Sequence, residues 1–64
     1  MVSIIISAYN SEEFLLSSLN GILAQTIKDY EVIIVDDGST DGTSQISERF
    51  AARDNRFRVI QQDR

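Results

Sequence analysis

Glu31-Val32-Ile33-Ile34-Val35-Asp36-Asp37-Gly38-Ser39-Thr40-Asp41-Gly42-Thr43 decides how this chain is read. It opens with four β-branched apolar residues in a row, Val32 to Val35. A run without polar/apolar alternation suits a strand buried on both faces, as in a parallel sheet. Two carboxylates follow, then a glycine, then hydroxyl residues. A strand that stops at Asp36-Asp37 sets two acids at its C-terminal end, the edge where open α/β sheets bind ligands. Neighbouring strand residues point to opposite faces, so the two acids take different roles.

Upstream lies a second apolar run, Val2-Ser3-Ile4-Ile5-Ile6-Ser7, which reads as the first strand. A helix follows, with Asn10 or Ser11 as N-cap and Glu13 placed for a capping box with Asn10. Glu12 and Glu13 in its first turn complement the helix dipole. Leu15, Leu16, Leu19, Ile22 and Leu23 recur at helical spacing and form a wide apolar face. Gly21 interrupts it, which suggests a close approach to the sheet. The helix fades around Ala24 to Thr26, and Lys28-Asp29 makes the turn into the second strand, Tyr30 to Asp36. Ser39 or Thr40 then caps a second helix from about Asp41 to Arg53. Its apolar face is thin (Ile46, Phe50, Ala51), with Ser44, Glu48, Arg49 and Arg53 towards water. Asp54-Asn55 ends it, and Phe57 to Ile60 is a third, short strand. Gln61 to Arg64 carry no structural signal.

The order β-α-β-α-β with short loops predicts an α/β fold, a three-stranded parallel sheet in strand order 3-2-1, half of a doubly wound domain. The most apolar strand then lies at an open edge, which is a liability unless something covers it. The expectation is an incomplete domain, or a homo-oligomer formed through the first strand.

The 64 residues suffice for one small core, and 42% hydrophobic with 25% charged residues is a globular balance. A net charge of -4 argues against nucleic-acid and anionic-membrane partners. With neither Cys nor His, disulfides, thiol catalysis and Cys/His zinc sites are excluded within the chain. No apolar run is long enough for a membrane span, and Val2 to Ile6 lacks the basic flank and length of a signal peptide. The expected location is the cytoplasm or the cytoplasmic face of a membrane.

At the ligand edge the candidates are Ser7, Ala8, Tyr9, Glu12, Asp36 and Asp37. Each has a plain structural reading beside the functional one. Tyr9 stacks on a planar ligand or covers the core. Ser7 and Ala8 present backbone groups or merely connect. Glu12 and Glu13 read first as dipole partners. Asp37 suits a ligand and Asp36 the loop, although periodicity alone does not choose between them. Gly38 to Gly42 resembles a phosphate cradle but matches neither glycine-rich consensus, and its acids repel phosphate. Arg49, Arg53, Arg56, Arg58 and Arg64 read as a solvated face.

Taken together, Val2 to Glu12, Gln25-Thr26 and Val35 to Thr43 resemble the start of the family 2 glycosyltransferases, the inverting group with the GT-A fold. That family commonly begins V-S-[IV]-I-[IV]-P-x-Y-N-x-E and continues to V-D-D-G-S-T-D-G-T. Ser7 departs from it, standing where proline is usual. The resemblance spans essentially the whole chain. It implies that residues 1–64 are the N-terminal, Rossmann-like, nucleotide-sugar-binding part of such a domain. Tyr9 would then lie against the base and Asp37 would accept a hydrogen bond from it, with Glu12 and Asp36 nearby. A UDP-sugar is the favoured donor, and the acceptor is unspecified. The family's D-x-D metal motif and catalytic base lie further along, so Mg²⁺ or Mn²⁺ belongs to the full enzyme with ligands outside this chain. No catalytic residue is expected here: Asp63 has no acidic partner two residues away. The 64 residues alone are expected not to transfer sugar.

Two other classes compete. A receiver-like Mg²⁺-binding domain also sets paired acids after a buried strand, but after the first strand rather than the second. A non-catalytic interaction module is the other. A dinucleotide-binding Rossmann half is disfavoured because Ser7-Ala8-Tyr9-Asn10 has no glycine.

Overall fold

The computed structural model describes residues 1–26 and 28–62. Strand β1 (Val2–Ala8), helix α1 (Glu12–Leu23), strand β2 (Tyr30–Asp36), helix α2 (Thr43–Arg53) and strand β3 (Phe57–Gln61) follow one another. The strands form a parallel sheet in the order β1-β2-β3, the predicted arrangement read from the other edge. The β3 strand reaches Gln61, one residue past its expected end. Asp63 and Arg64 lie outside the described residues.

The register puts Ile4, Val32 and Phe57 in one row, and Ile6, Ile34 and Val59 in another. These rows face the helices. Val32, Ile34 and Phe57 are buried with Leu15 and Leu19 of α1 and Phe50 of α2, and Ile4, Ile6 and Val59 pack against them. Two successive parallel connections of the same hand leave both helices on one side of the sheet.

The expectation of burial on both faces is therefore corrected. Along β2 burial alternates: Val32, Ile34 and Asp36 are buried, whereas Ile33 and Val35 are half-buried. In β1 Ile5 is 68% exposed. The apolar runs mark residues suited to two-sided cover, but one face of the sheet is open here. On that face Glu31 takes a hydrogen bond from Ser3 Oγ at 2.8 Å and pairs with Arg58 at 3.1 Å.

Only part of the predicted face of α1 is used. Leu15 and Leu19 are buried and Ile22 is half-buried, while Leu16 and Leu23 are exposed. Gly21 makes no close approach: a Cβ there would meet nothing within 4 Å. Gly21→Ala should therefore raise stability by about 0.8–1 kcal/mol, the propensity gain of Ala in a helix interior. Urea unfolding checks this, and a lowered midpoint would show that something packs on Gly21.

At the N-terminal ends of β2 and β3 an aromatic cluster closes the core. The Phe57 ring meets Tyr30 edge-on at 6.4 Å and Phe50 at 5.7 Å. Arg56 is not on the solvated face expected of it. Its guanidinium lies 4.4 Å from the Tyr30 ring centroid and pairs with Asp54 at 2.6 Å. The Arg56 hydrogen bonds hold the Asp54 carboxyl below its ordinary pKa. This end is closed by aromatic packing, and the opposite end carries the loops that follow β1 and β2.

Candidate functional site

At the C-terminal edge of the sheet Ala8, Asp36 and Gln61 stand side by side in register. The loop after β1 and the loop after β2 rise from this edge. Their first link is a backbone bond, Asp37 N–H to Ala8 C=O, at 2.9 Å. It brings the residue before Tyr9 against Asp37. Ala8 is buried on the helix side, Tyr9 is 42% exposed in the first loop, and Asp37 is half-buried at the start of the second. Ser7 lies one residue back, exposed on the open face. Glu12 begins α1, also exposed, with its carboxylate over Gly42: a Cβ on Gly42 would sit 2.5 Å from Glu12 Oε2.

Asp36 is only 2% exposed, on the helix side of the sheet. Its Oδ1 accepts the Ser39 N–H at 3.2 Å, and its Oδ2 accepts a short hydrogen bond from Ser44 Oγ. Burial pushes this carboxyl up, but the bonds from Ser39 and Ser44 outweigh burial and hold its pKa below the ordinary value. Its donors come from the turn and from the first turn of α2. Ser44, expected towards water, is half-buried for this reason. The Gly38 backbone, at φ 76°, provides the left-handed step that turns the chain back over Asp36.

The helix caps differ from the sequence reading. Ser11 is the N-cap of α1 but makes no side-chain cap bond, and the Asn10–Glu13 capping box is not formed. The orphan N–H groups at this terminus find acceptors on the other loop instead. Ser11 N–H donates to Thr43 Oγ1 at 2.9 Å, and Glu12 N–H to Asp41 Oδ2 at 3.4 Å. Helix α2 starts at Thr43, not Asp41, and neither Ser39 nor Thr40 caps it. The N-cap is Gly42, and Asp41 before it supplies an acceptor: its Oδ1 takes the Thr43 N–H at 3.0 Å and the Thr43 hydroxyl at 2.5 Å. The Thr43 bond is the main cause that lowers the Asp41 pKa. Ser39 and Thr40 reach Asn10 of the first loop. The Ser-Thr-Asp-Gly-Thr segment thus laces two loops together. The density of hydroxyl and Asx residues in both loops was the available signal, though local capping rules assign them to their own helices.

An aromatic ring and a carboxylate on adjacent loops offer a stacking surface and a hydrogen-bond acceptor. Among the described residues no three acids come together to hold a metal, and the Asp36 oxygens are already engaged. No helix among them is long and apolar enough to cross a membrane.

Comparison with known proteins gives the family. The glycosyl transferase family 2 profile matches residues 3–64. The chain belongs to glycosyltransferase family 2. Among its relatives, glycosyltransferase GlyG of Streptococcus pneumoniae is 40% identical over 63 residues, 98% of this chain and 21% of that protein. The uncharacterized glycosyltransferase EpsJ of Bacillus subtilis is 45% identical over 62 residues, 97% of this chain and 18% of that protein. A mannosyltransferase from Pyrobaculum calidifontis, solved with GDP-Man and Mn²⁺, superposes with a TM-score of 0.75 at 28% identity. That match covers 97% of this chain and 19% of the other. The chain thus spans about a fifth of the length of these relatives. The fold is that of a Rossmann-like fragment of a GT-A domain, and the family match removes the receiver-like reading.

Proposed function

We propose that this chain is the donor-binding part of an inverting glycosyltransferase, and that it grips the nucleotide of a nucleoside diphospho-sugar. The observation that carries this is the backbone bond between Ala8 and Asp37, which pairs the Tyr9 loop with the Asp37 loop at the sheet edge. Tyr9 stacks on the base, and the Asp37 carboxylate accepts a ring N–H from it. A uridine donor suits that acceptor best. Guanine also offers ring N–H and amino donors, in keeping with the GDP-Man bound by the Pyrobaculum mannosyltransferase. Asp36 and Glu12 act on the shape of the loops: Asp36 holds the turn from below, and Glu12 packs over Gly42. Ser7 and Ala8 offer backbone groups beneath the ligand.

Transfer is a single displacement, in which an acceptor hydroxyl attacks the anomeric carbon and the nucleoside diphosphate leaves with inversion. The residues described here do not fit the divalent cation, Mg²⁺ or Mn²⁺, that would neutralise the leaving diphosphate. Neither it nor the catalytic base is assigned to this chain, so the 64 residues bind donor without transferring sugar.

The test is nucleotide titration of the full-length enzyme. Tyr9→Ala should weaken UDP binding by roughly 1–3 kcal/mol, the scale of base–aromatic stacks, and Tyr9→Phe should be nearly neutral. Equal damage from Phe and Ala would mean that the hydroxyl, not the ring face, is what matters. No loss in either variant would remove Tyr9 from the site.

A further inference from the structure

Asn10 has its backbone in the left-handed region, φ 47°, where non-glycine residues are uncommon and Asn is among the best tolerated. It lies next to Tyr9 and bonds across to the other loop in both directions. Its N–H donates to Ser39 Oγ at 3.0 Å, and its Oδ1 accepts the Thr40 N–H at 2.8 Å. Thr40 Oγ1 also approaches that oxygen at 3.4 Å. Along both chain segments these bonds follow the Ala8–Asp37 link. Tyr9 and Asp37 thus each lie in a segment tied at one end by that link and at the other by the Asn10 bonds to Ser39 and Thr40. From this we propose that Asn10 is a positioning residue: its clasp on Ser39 and Thr40 fixes the spacing of Tyr9 and Asp37, and so sets nucleotide affinity without touching the nucleotide.

This rests on the donor-binding reading above, and it makes a separable claim. The side-chain amide matters for its acceptor oxygen, and the backbone matters for its left-handed turn. Asn10→Gly keeps the turn and removes the acceptor. Asn10→Asp keeps the acceptor and much of the tolerance for the turn. The experiment is calorimetric titration of the full-length enzyme with UDP and with GDP, alongside circular dichroism. Asn10→Gly should raise the Kd of the better-bound nucleotide roughly fivefold to tenfold, the size of a lost neutral hydrogen bond, with the fold intact. Asn10→Asp keeps the acceptor for the Thr40 N–H and should stay within about twofold of wild type; a loss as large as that of Asn10→Gly overturns the proposal. In a Tyr9→Ala background the effect of Asn10→Gly should shrink towards none, because residues acting through one another are not additive. A merely structural role would lower stability and leave that coupling absent. If Asn10→Gly does not fold, Ser39→Ala removes the acceptor of the Asn10 N–H, the other bond of the clasp, and should raise the same Kd by a similar factor. A normal Kd in the clasp variant, or a full effect in the Tyr9→Ala background, overturns the proposal. If Tyr9→Ala itself weakens binding, the donor-binding reading survives that result. Absence of nucleotide binding by the wild type overturns both.

Discussion

Phe57→Ala should cost about 3–5 kcal/mol, the range for deleting a buried aromatic ring. Phe57 is 2% exposed and stands at the meeting of β2, β3 and α2. Its ring touches Tyr30 edge-on and lies against Phe50, so truncation opens a cavity that three elements share. The helices cannot collapse into it easily, because Tyr30 is itself held by the Arg56 guanidinium and by a weak bond to Ile22 C=O. A chain of 64 residues has a stability of roughly 3–10 kcal/mol at the usual value per residue, so the loss is a large share of the whole. The expected result is a urea transition that is lost or moved to very low denaturant. A shift worth less than about 1 kcal/mol would mean that the aromatic cluster is not the keystone of the core.

Phe57 also shows what was legible in the sequence. The three strands, the two helices and their order followed from β-branched runs and helical spacing, because those patterns are set by local backbone geometry. What the strands' faces meet was not legible. Ile5 and Ile33 look as buried as Ile4 and Ile34 in the sequence, yet both helices lie on one side and leave Ile5 exposed. An apolar residue records the environment it suits, and this chain supplies cover for only one face. Gly21 was misread for a related reason: nothing in the sequence says which side of a helix will be empty.

The site divides in the same way. That a strand ends at the Asp36-Asp37 pair was legible, and so was the burial of Asp36 on the helix side, in step with Val32 and Ile34. The lacing between the loops was not. Thr43 and Asp41 cap a helix 29 to 32 residues away in sequence, whereas capping rules look three residues ahead. The Ser39–Asn10 contact is equally remote. Such bonds exist because the parallel pairing of β1 and β2 brings the two helix starts together, and only the assembled sheet reveals it.

Asp37→Asn should weaken UDP binding by about 1.5–3 kcal/mol, the worth of a hydrogen bond to a charged group. The change keeps the size of the side chain and the backbone bond from Asp37 N–H to Ala8, so the loop retains its anchor. What changes is polarity. A carboxylate only accepts hydrogen bonds, whereas an amide both accepts and donates. Uracil presents an N3–H donor to such an acceptor. Cytosine presents a bare N3, which sets lone pair against lone pair, and a carboxylate should reject it. An amide can turn its NH₂ towards cytosine N3, so discrimination against CDP should narrow while UDP affinity falls. GDP separates the two donor classes: guanine offers a ring N–H and an amino group side by side, a match for both carboxylate oxygens. If GDP binds the wild type more tightly than UDP and loses more on Asp37→Asn, the base read at this edge is guanine. If the variant keeps its UDP affinity and its preference over CDP, Asp37 does not read the base, and its work is confined to joining the second loop to Ala8.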